Sequence, residues 1–589
     1  MNNAAVATTI LIGVLAAFYG VHKYYGTQES VASYLNSAGT SEDAMELCKN
    51  HSLEFNRPEI LNVTESIHVA IEFSLANAIM LQGPQGLVIV DTTESVASAR
   101  EIFRGFREIT TAPVRGIVYT HNHADHVTGA KAFLEDRKAD DDEQEVEIWA
   151  HERTLELMQL TLETLGPTTY RRAARQFGIL LPSDDKENAG IGFRLNLMSF
   201  ESGFIKPNRF LTTESANISI AGLELQLIHI PGETEDQIAV YWPKQKALFC
   251  ADDFYKAFPN LYAIRGTPFR SLEQWTRSLD KTRALDIEYL VPSHTRPLMG
   301  RQIIRETLTG YRDAVQLIHD QTVRLVNKGV HIEEIAQTIR LPKKLAKQPY
   351  LKELYGTVPW SVKGLYSGYL GWFSGDVTEL NPLTPKERGE KLVELGGGVS
   401  AVLKTAEKSI NSKDFQWALE LSTALLLVEP ENTQAKQLRA KALVNLAKRQ
   451  TSANGYNYYM TVAHETMGEI EIKPPSERKA QLTKTLPIER IFRLLSYRFK
   501  AEECSEIDKA VHFFFPDTRN SLDFHIRNGI VDFDNPRGRA PNLKVTVEEK
   551  VLREILAGER SSVMAAATGN ISVEPSMIDF GKVMLCFEE

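Results

Sequence analysis

From about residue 65 the chain alternates short apolar runs with polar turns. Gly86-Leu87-Val88-Ile89-Val90-Asp91 is an unbroken apolar run closed by a carboxylate, and Gly116-Ile117-Val118-Tyr119-Thr120 is a second. Runs of this length without polar alternation are expected of strands covered on both faces. Between them, residues 94–108 carry apolar side chains at helical spacing. Strand, helix, strand in that order predicts an α/β layer arrangement, because the crossover helix must lie against the sheet it connects. A second α/β half is expected up to about residue 300, with short strands at 223–230, 238–242, 247–250 and 289–291. Beyond residue 300 the pattern changes to a 3.6-residue period rich in Leu, Ala, Lys and Glu, which predicts helices over 301–450. Phe415 to Ala447 reads as a helical hairpin broken at Pro430-Glu431-Asn432. The last hundred residues mix a helix, strands and turns such as Asn535-Pro536-Arg537-Gly538, and predict a small α+β unit. At the other end, no residue from Ala4 to Val21 is charged, and Ile10-Leu11-Ile12-Gly13-Val14-Leu15-Ala16-Ala17-Phe18 is strongly apolar.

That amino-terminal run is near the minimum of about 17–18 residues needed to span a bilayer. No basic residue precedes it, unlike a cleavable signal peptide, and Tyr19, His22, Lys23, Tyr24 and Tyr25 suit a membrane interface. A single membrane anchor is expected, with a cleaved signal or a buried helix as alternatives. Lys23 alone bears on orientation, and weakly favours a cytoplasmic main chain.

Composition adds limits. A chain of 589 residues is too long for one core and, at about 150 residues per domain, suggests roughly three or four. The net charge of −9 gives no general footprint for nucleic acid, so no nucleic-acid partner is expected. Cys48, Cys250, Cys504 and Cys586 lie far apart and form no CxxC pair. That speaks against a thiolate zinc knuckle or a redox dithiol, and buried thiols are expected, with one long-range disulfide as the alternative. The run Asp140-Asp141-Asp142-Glu143 reads as a solvated loop. Phe415–Ala447 faintly resembles a tetratricopeptide unit, but one copy cannot build a solenoid.

The decisive stretch is Thr120-His121-Asn122-His123-Ala124-Asp125-His126, which follows an apolar strand directly. A tight loop after a strand lets neighbouring side chains converge on one point. Imidazole and carboxylate are the neutral and anionic donors that zinc accepts. A lone histidine is usually a packing residue. Three histidines and an aspartate within six residues reverse that reading, with His121 and His123 reaching one ion and Asp125 and His126 a second.

This HxHxDH pattern resembles the metallo-β-lactamase superfamily. The resemblance implies an αββα sandwich, a third ligand in a Pro-Gly-His turn, a bridging carboxylate after a strand and a final histidine after the last strand. These fall on Pro231-Gly232-Glu233, where Glu233 replaces the usual histidine, on Asp252 after 247–250, and on His294 in Val291-Pro292-Ser293-His294. Glutamate in that turn resembles the zinc-dependent alkylsulfatases. That family holds sulfate with an asparagine and an arginine shortly after the bridging acid, which points to Asn260 and Arg265 in Asn260-Leu261-Tyr262-Ala263-Ile264-Arg265-Gly266. A guanidinium offers a planar fork of donors that suits a tetrahedral oxyanion.

The likeness runs along nearly the whole chain. Gly368-Tyr369-Leu370-Gly371-Trp372-Phe373-Ser374-Gly375 resembles the signature of the alkylsulfatase dimerisation domain. The last hundred residues resemble a sterol-carrier-protein-like domain, and Arg171-Arg172-Ala173 and Phe177-Gly178-Ile179-Leu180-Leu181-Pro182 resemble a family stretch. The expected organisation is therefore an anchor or signal over 1–25, a lead-in over 26–64, a metallo-β-lactamase-like domain over 65–300, a helical dimerisation domain over 301–450, a linker over 451–485 and a carboxy-terminal domain over 486–589. The resemblance implies two zinc ions per subunit on His121, His123, Asp125, His126, Glu233, Asp252 and His294. It gives Asp125, Asn260 and Arg265 to the chemistry, with a zinc-bound hydroxide attacking an alkyl or aryl sulfate ester that carries an apolar tail. It also implies a homodimer and, for an anchored chain, the periplasmic side, with secretion as the alternative.

Three residues depart from the family pattern. Asp252 stands where these sulfatases often have glutamate, Trp360 where dodecyl-sulfate-cleaving members have histidine, and Phe177 in place of a tyrosine. They imply a related pocket shaped for a different ester. His151 is a candidate helper for the leaving group, though a structural role is the more ordinary reading, and His229 reads as a packed neighbour of the Pro231 turn. The rivals are hydrolysis of a phosphoester, thioester or lactam on the same fold, and a membrane-tethered lipid-binding protein.

Overall fold

The computed structural model describes residues 30–588 apart from 38–41, 56, 137–144, 183–187, 193–194, 196–202, 474–479, 481–482, 485 and 534–539. The described residues divide into two compact units, one drawn from 1–158 and 168–472, the other from 159–167 and 473–589.

The first unit is built on two sheets. In the first, β1 (Glu59–Thr64), β2 (Ile67–Ile71), β3 (Ala78–Gly83), β4 (Gly86–Val90), β5 (Val114–Val118), β6 (Glu147–His151) and β7 (Arg209–Leu211) lie side by side in chain order. The first four pair antiparallel; from β4 onward the pairing is parallel. In the second sheet, β8 (Ser215–Ile220), β9 (Leu223–His229), β10 (Ile238–Trp242), β11 (Ala247–Phe249), β12 (Tyr289–Val291) and β13 (Leu298–Met299) also follow chain order. All pair antiparallel except β11 with β12, whose crossover contains the helix Leu272–Arg283.

The sheets face one another across a core in which Val88, Val90 and Val118 meet Leu225, Leu227, Val240 and Phe249. β4 is buried at every position, which is why its sequence shows no alternation. The crossover helix from β4 to β5 is Val96–Ile109; it buries Val96, Ala99, Ile102, Phe103 and Phe106 and starts where Ser95 Oγ accepts a bond from the Ser98 N–H. On the second sheet the other set of alternating residues, Ile228, Ala239, Tyr241, Leu248 and Leu290, packs under Trp275, Leu279, Tyr311 and Val315. Helix, sheet, sheet, helix is the αββα sandwich that the family resemblance implied.

Helices follow from Arg301–Val326 to Ala453–Met467. The hairpin is Phe415–Val428 and Thr433–Ala447, restarted by Asn432, whose Oδ1 accepts from the Ala435 N–H at 2.9 Å. The stretch expected as a linker over 451–485 holds the helix Ala453–Met467. Its sequence hides that helix, because polar Asn454, Asn457, Thr461 and His464 are among the residues it buries.

The second unit carries the sheet β16–β15–β14–β17–β18, from β14 (Lys509–Phe515), β15 (Asn520–Arg527), β16 (Ile530–Asp532), β17 (Leu543–Val547) and β18 (Ile571–Glu574). Helices close over it around an apolar cavity of about 410 Å³ lined by Phe492, Phe513, Phe524, Val545, Phe580 and Met584.

Several sequence expectations change. Cys504 and Cys586 are not buried thiols: they form a disulfide, with Cα atoms 5.9 Å apart across 82 residues of chain, while Cys48 and Cys250 are free. Folding brought the pair together, and spacing along the chain carried no sign of it. The membrane assignment is withdrawn, along with the periplasmic placement. Among the described residues no helix is long and apolar enough to cross a membrane. The uncharged run Ala4–Val21 lies outside the described residues, as do Asp140–Glu143, Pro474-Pro475-Ser476 and the turn 535–538.

Candidate metal centre

The site is assembled where the strands of both sheets end. β5 stops at Val118, and the following loop runs into the single helical turn Ala124–Val127, with His123 just before it. Asp91 ends the neighbouring strand β4, in a left-handed conformation with φ of 59°. That conformation costs a non-glycine residue roughly 1–2 kcal/mol and persists only when surrounding contacts enforce it. Here the carboxylate accepts from Thr120 N (2.9 Å), Thr120 Oγ1 (2.9 Å) and Ser293 Oγ (2.8 Å), and lies 2.7 Å from His126 Nδ1. The Nδ1–H of His126 donates to Asp91, which leaves Nε2 as the free donor atom facing inward. His294 is set in the same way: its Nδ1 lies 2.9 Å from the Leu75 carbonyl oxygen. The sequence showed Asp91 only as a carboxylate closing a strand; its orienting role depends on β4 and β5 lying side by side.

The inward atoms converge on Asp252. Its Oδ2 lies 3.2 Å from His294 Nε2, 3.6 Å from His126 Nε2 and 3.8 Å from His121 Nε2. Asp125 Oδ2 is 3.5 Å from His126 Nε2 and 3.6 Å from His294 Nε2. Two ligands at about 2.0–2.2 Å from a tetrahedral ion are themselves separated by roughly 3.3–3.6 Å. Three overlapping groups could each hold an ion: His121, His126 and Asp252; Asp125, His126 and His294; and His123, Glu233 and Asp252. All seven residues named from the sequence fall in this one cluster. His126 Nε2, His294 Nε2, Asp252 Oδ1 and Glu233 Oε2 are buried with no hydrogen-bond partner among the described residues. Burying such atoms unpaired costs about 1–3 kcal/mol each, more for charged groups, and a cation between them removes that cost. The donor set therefore fits a metal.

Charges in the cluster are tightly balanced. His121 is held at about 3 by burial and by neighbouring His126, so it stays a neutral donor. Burial opposes ionisation of Asp125, but His126 and His294 hold its carboxyl at about 2. Burial pushes the Glu233 carboxyl up to about 7, with Arg270 opposing that rise and Asp252 adding to it. Glu233 is placed by the Pro231-Gly232 turn. A Cβ at residue 232 would come within 2.2 Å of Asp253 Oδ1 and 2.9 Å of the Trp275 ring, so only glycine fits there.

Asn260 and Arg265 reach the same centre. Arg265 Nη2 lies 3.1 Å from His123 Nε2, and the Arg265 backbone N–H donates to Gln176 Oε1. Asn260 is buried, its backbone N–H donates to Tyr255 Oη at 2.7 Å, and both polar atoms of its side chain lack a hydrogen-bond partner among the described residues. Leu75, Phe177, Tyr255, Leu354 and Tyr355 form an apolar cluster that meets the centre at the Tyr255 ring, 6.2 Å from that of His294. Phe177 thus belongs to the apolar backing of the site, whereas Trp360 sits in the first turn of the helix Val358–Leu370. His151 stacks on His229 at 4.4 Å between ring centroids and falls in none of the metal-holding groups, consistent with a packing role. Sequence reasoning missed Arg270, which nothing in its local sequence distinguishes.

Comparison with known proteins agrees with this geometry. Residues 71–294 match the metallo-beta-lactamase superfamily, and residues 331–469 match the alkyl sulfatase dimerisation family. A linear primary-alkylsulfatase of Pseudomonas sp. (strain ATCC 19151) is 34% identical over 520 residues, covering 86% of this chain and 98% of that protein. The chain belongs to the alkylsulfatase family. An alkyl/aryl-sulfatase of Saccharomyces cerevisiae is 27% identical to this alkylsulfatase over 535 residues, covering 90% of the chain and 82% of that protein. The solved structure of a stereoselective inverting sec-alkylsulfatase from Pseudomonas sp. shares the fold, with a TM-score of 0.83 at 23% identity over 95% of this chain and 89% of that one. Membership of the metallo-beta-lactamase superfamily implies a metal ion, and the cluster around Asp252 provides donors for one.

Proposed function

We propose that this alkylsulfatase hydrolyses organic sulfate monoesters with an apolar tail, ROSO3⁻ + H2O giving ROH and HSO4⁻, with two zinc ions per subunit. One ion is assigned to His121, His123, Glu233 and Asp252, the other to Asp125, His126, His294 and Asp252. The observation that carries the substrate reading is the Arg265 guanidinium, which lies 3.1 Å from His123 at the edge of the ligand cluster. Its planar fork of donors fits the oxygens of a bound sulfate. The names of the relatives, linear primary-alkylsulfatase and alkyl/aryl-sulfatase, support the same class.

When bound, zinc supplies Lewis acidity and brings the pKa of water from about 15.7 towards neutrality. Asp125, whose carboxyl His126 and His294 hold at about 2, would stay an anion and orient the attacking water. The unpartnered Asn260 amide and Arg265 hold the sulfate oxygens while the ester bond breaks. The apolar cluster of Leu75, Phe177, Tyr255, Leu354 and Tyr355 backs the tail. A panel of sulfate, phosphate, lactam and thioester substrates given to the zinc-loaded protein tests the reading. Sulfate esters are expected to lead by at least about 100-fold in kcat/KM, since a site built to pair with one polar group rejects substrates that leave it unpaired. A faster phosphate, lactam or thioester would overturn it.

The same chain is proposed to act as a homodimer through its helical region. Trp372, Val377 and Leu395 are 73%, 75% and 86% exposed, alongside exposed Tyr369, Leu370, Leu380 and Leu383. Covering exposed apolar side chains is worth about 25 cal/mol per Å², and exposed apolar surface of this kind suits an interface. Light scattering at micromolar concentration is expected to give twice the 66.2 kDa chain mass, and a clean monomer would contradict the dimer.

A further inference from the structure

Glu233 differs from the usual histidine of its turn in one physical respect: it brings a negative charge into a pocket already holding Asp252 and Asp253, all three buried. Arg270 answers it. Both side chains are 3% exposed or less, and Arg270 Nη1 lies 2.5 Å from Glu233 Oε1. The same Nη1 donates to the carbonyl oxygen of Asn260, and Nε lies 3.4 Å from Thr267 Oγ1. The two oxygens of Glu233 are thereby divided. Oε1 is held by the guanidinium, while Oε2 has no hydrogen-bond partner among the described residues, and the carboxylate falls in one candidate metal group with His123 and Asp252. The residue that fixes Glu233 also grips the first residue of the segment that carries Arg265.

We propose that Arg270 is a positioning residue that makes Glu233 usable as a metal ligand and joins it to the anion-holding segment 260–265. The inference rests on the reading of Glu233 as a ligand. A carboxylate free to rotate, or paired elsewhere, presents no fixed oxygen to an ion, and a buried arginine is the cation that can both neutralise and orient it. Partners that orient metal ligands typically contribute 10- to 100-fold in metal affinity. A neutral histidine at residue 233 would need no such partner, so the effect of Arg270 depends on what stands at 233.

The test is a double-mutant cycle read by zinc affinity, measured by competition with a chromophoric chelator, and therefore independent of turnover. Arg270→Gln is expected to weaken binding of the more labile zinc about 10- to 100-fold. In a Glu233→His background the same change is expected to have no further effect, whereas an arginine that only supported the fold would weaken both backgrounds equally. Arg270→Lys keeps the charge and loses the fork, and is expected to fall between the two; it carries the test if Arg270→Gln does not fold. Unchanged zinc affinity in both Arg270→Gln and Arg270→Lys, or equal losses in both backgrounds, would overturn the proposal. Glu233→Gln separates this from the ligand reading. Undiminished zinc in Glu233→Gln sinks the ligand assignment, while lost zinc there with none lost in the Arg270 variants sinks only the present inference.

Discussion

Alanine at His121 or at Asp125 is expected to reduce alkyl sulfate turnover by at least about 1000-fold and to lower the zinc content of the purified protein. His121 is fully buried, and Asp125 Oδ2 lies within 3.6 Å of His126 Nε2 and His294 Nε2, the two nitrogens that also face Asp252. Removing either takes one donor from a buried cluster whose remaining donors are too few to hold both ions equally well. An ion contributes several kcal/mol of charge stabilisation and the activation of water, and about 4 kcal/mol corresponds to 1000-fold. Elemental analysis and steady-state kinetics on the two variants check the result together. Carefully prepared natural protein without any transition metal, or full activity in either variant, would remove the cluster around Asp252 from the chemistry.

Arg265→Ala is expected to lower kcat/KM for a sulfate ester about 30- to 1000-fold, the equivalent of roughly 2–4 kcal/mol for a charge-assisted contact kept into the transition state. Zinc content should stay the same, because Arg265 is a cation and cannot be a ligand. That separates it from Arg270, whose replacement is expected to act through the metal. The guanidinium of Arg265 is pushed below its ordinary pKa by burial and then by the charge of Arg270, so two cations stand close together at this end of the site. An incoming sulfate relieves that repulsion, which argues for an effect on both KM and kcat. Kinetics indistinguishable from the natural enzyme on its best substrate would take Arg265 out of the site.

Part of the candidate site was legible because four of its proposed ligands are tied to local structure. His121, His123, Asp125 and His126 share one loop after β5, and strand followed by tight turn is a pattern that short-range periodicity reports. Glu233, Asp252 and His294 were found only through the family resemblance, since each is a single acid or imidazole at the end of a different strand. Arg270 and Asp91 had no such signal. Each contacts a partner far along the chain: Arg270 meets Glu233, 37 residues away, and Asp91 meets His126, 35 residues away. The helix Ala453–Met467 escaped because periodicity reports apolar faces, and this one buries Asn454, Asn457 and Thr461.

While the αββα layer order came from the family resemblance, the sequence by itself determined an α/β arrangement, the crossover helix between β4 and β5, the helical region and the histidine-rich loop. These depend on apolar spacing, turn residues and neighbours within a few positions, which the chain carries before it folds. Only the tertiary structure decided which nitrogen of His126 and His294 faces inward, where Arg265 lies relative to His123, and that Cys504 meets Cys586. Those depend on the registers of separate strands and on the packing of elements far apart in sequence. Hydrogen bonds and ligand geometry are sensitive to tenths of an ångström, and nothing in residue spacing fixes distances on that scale.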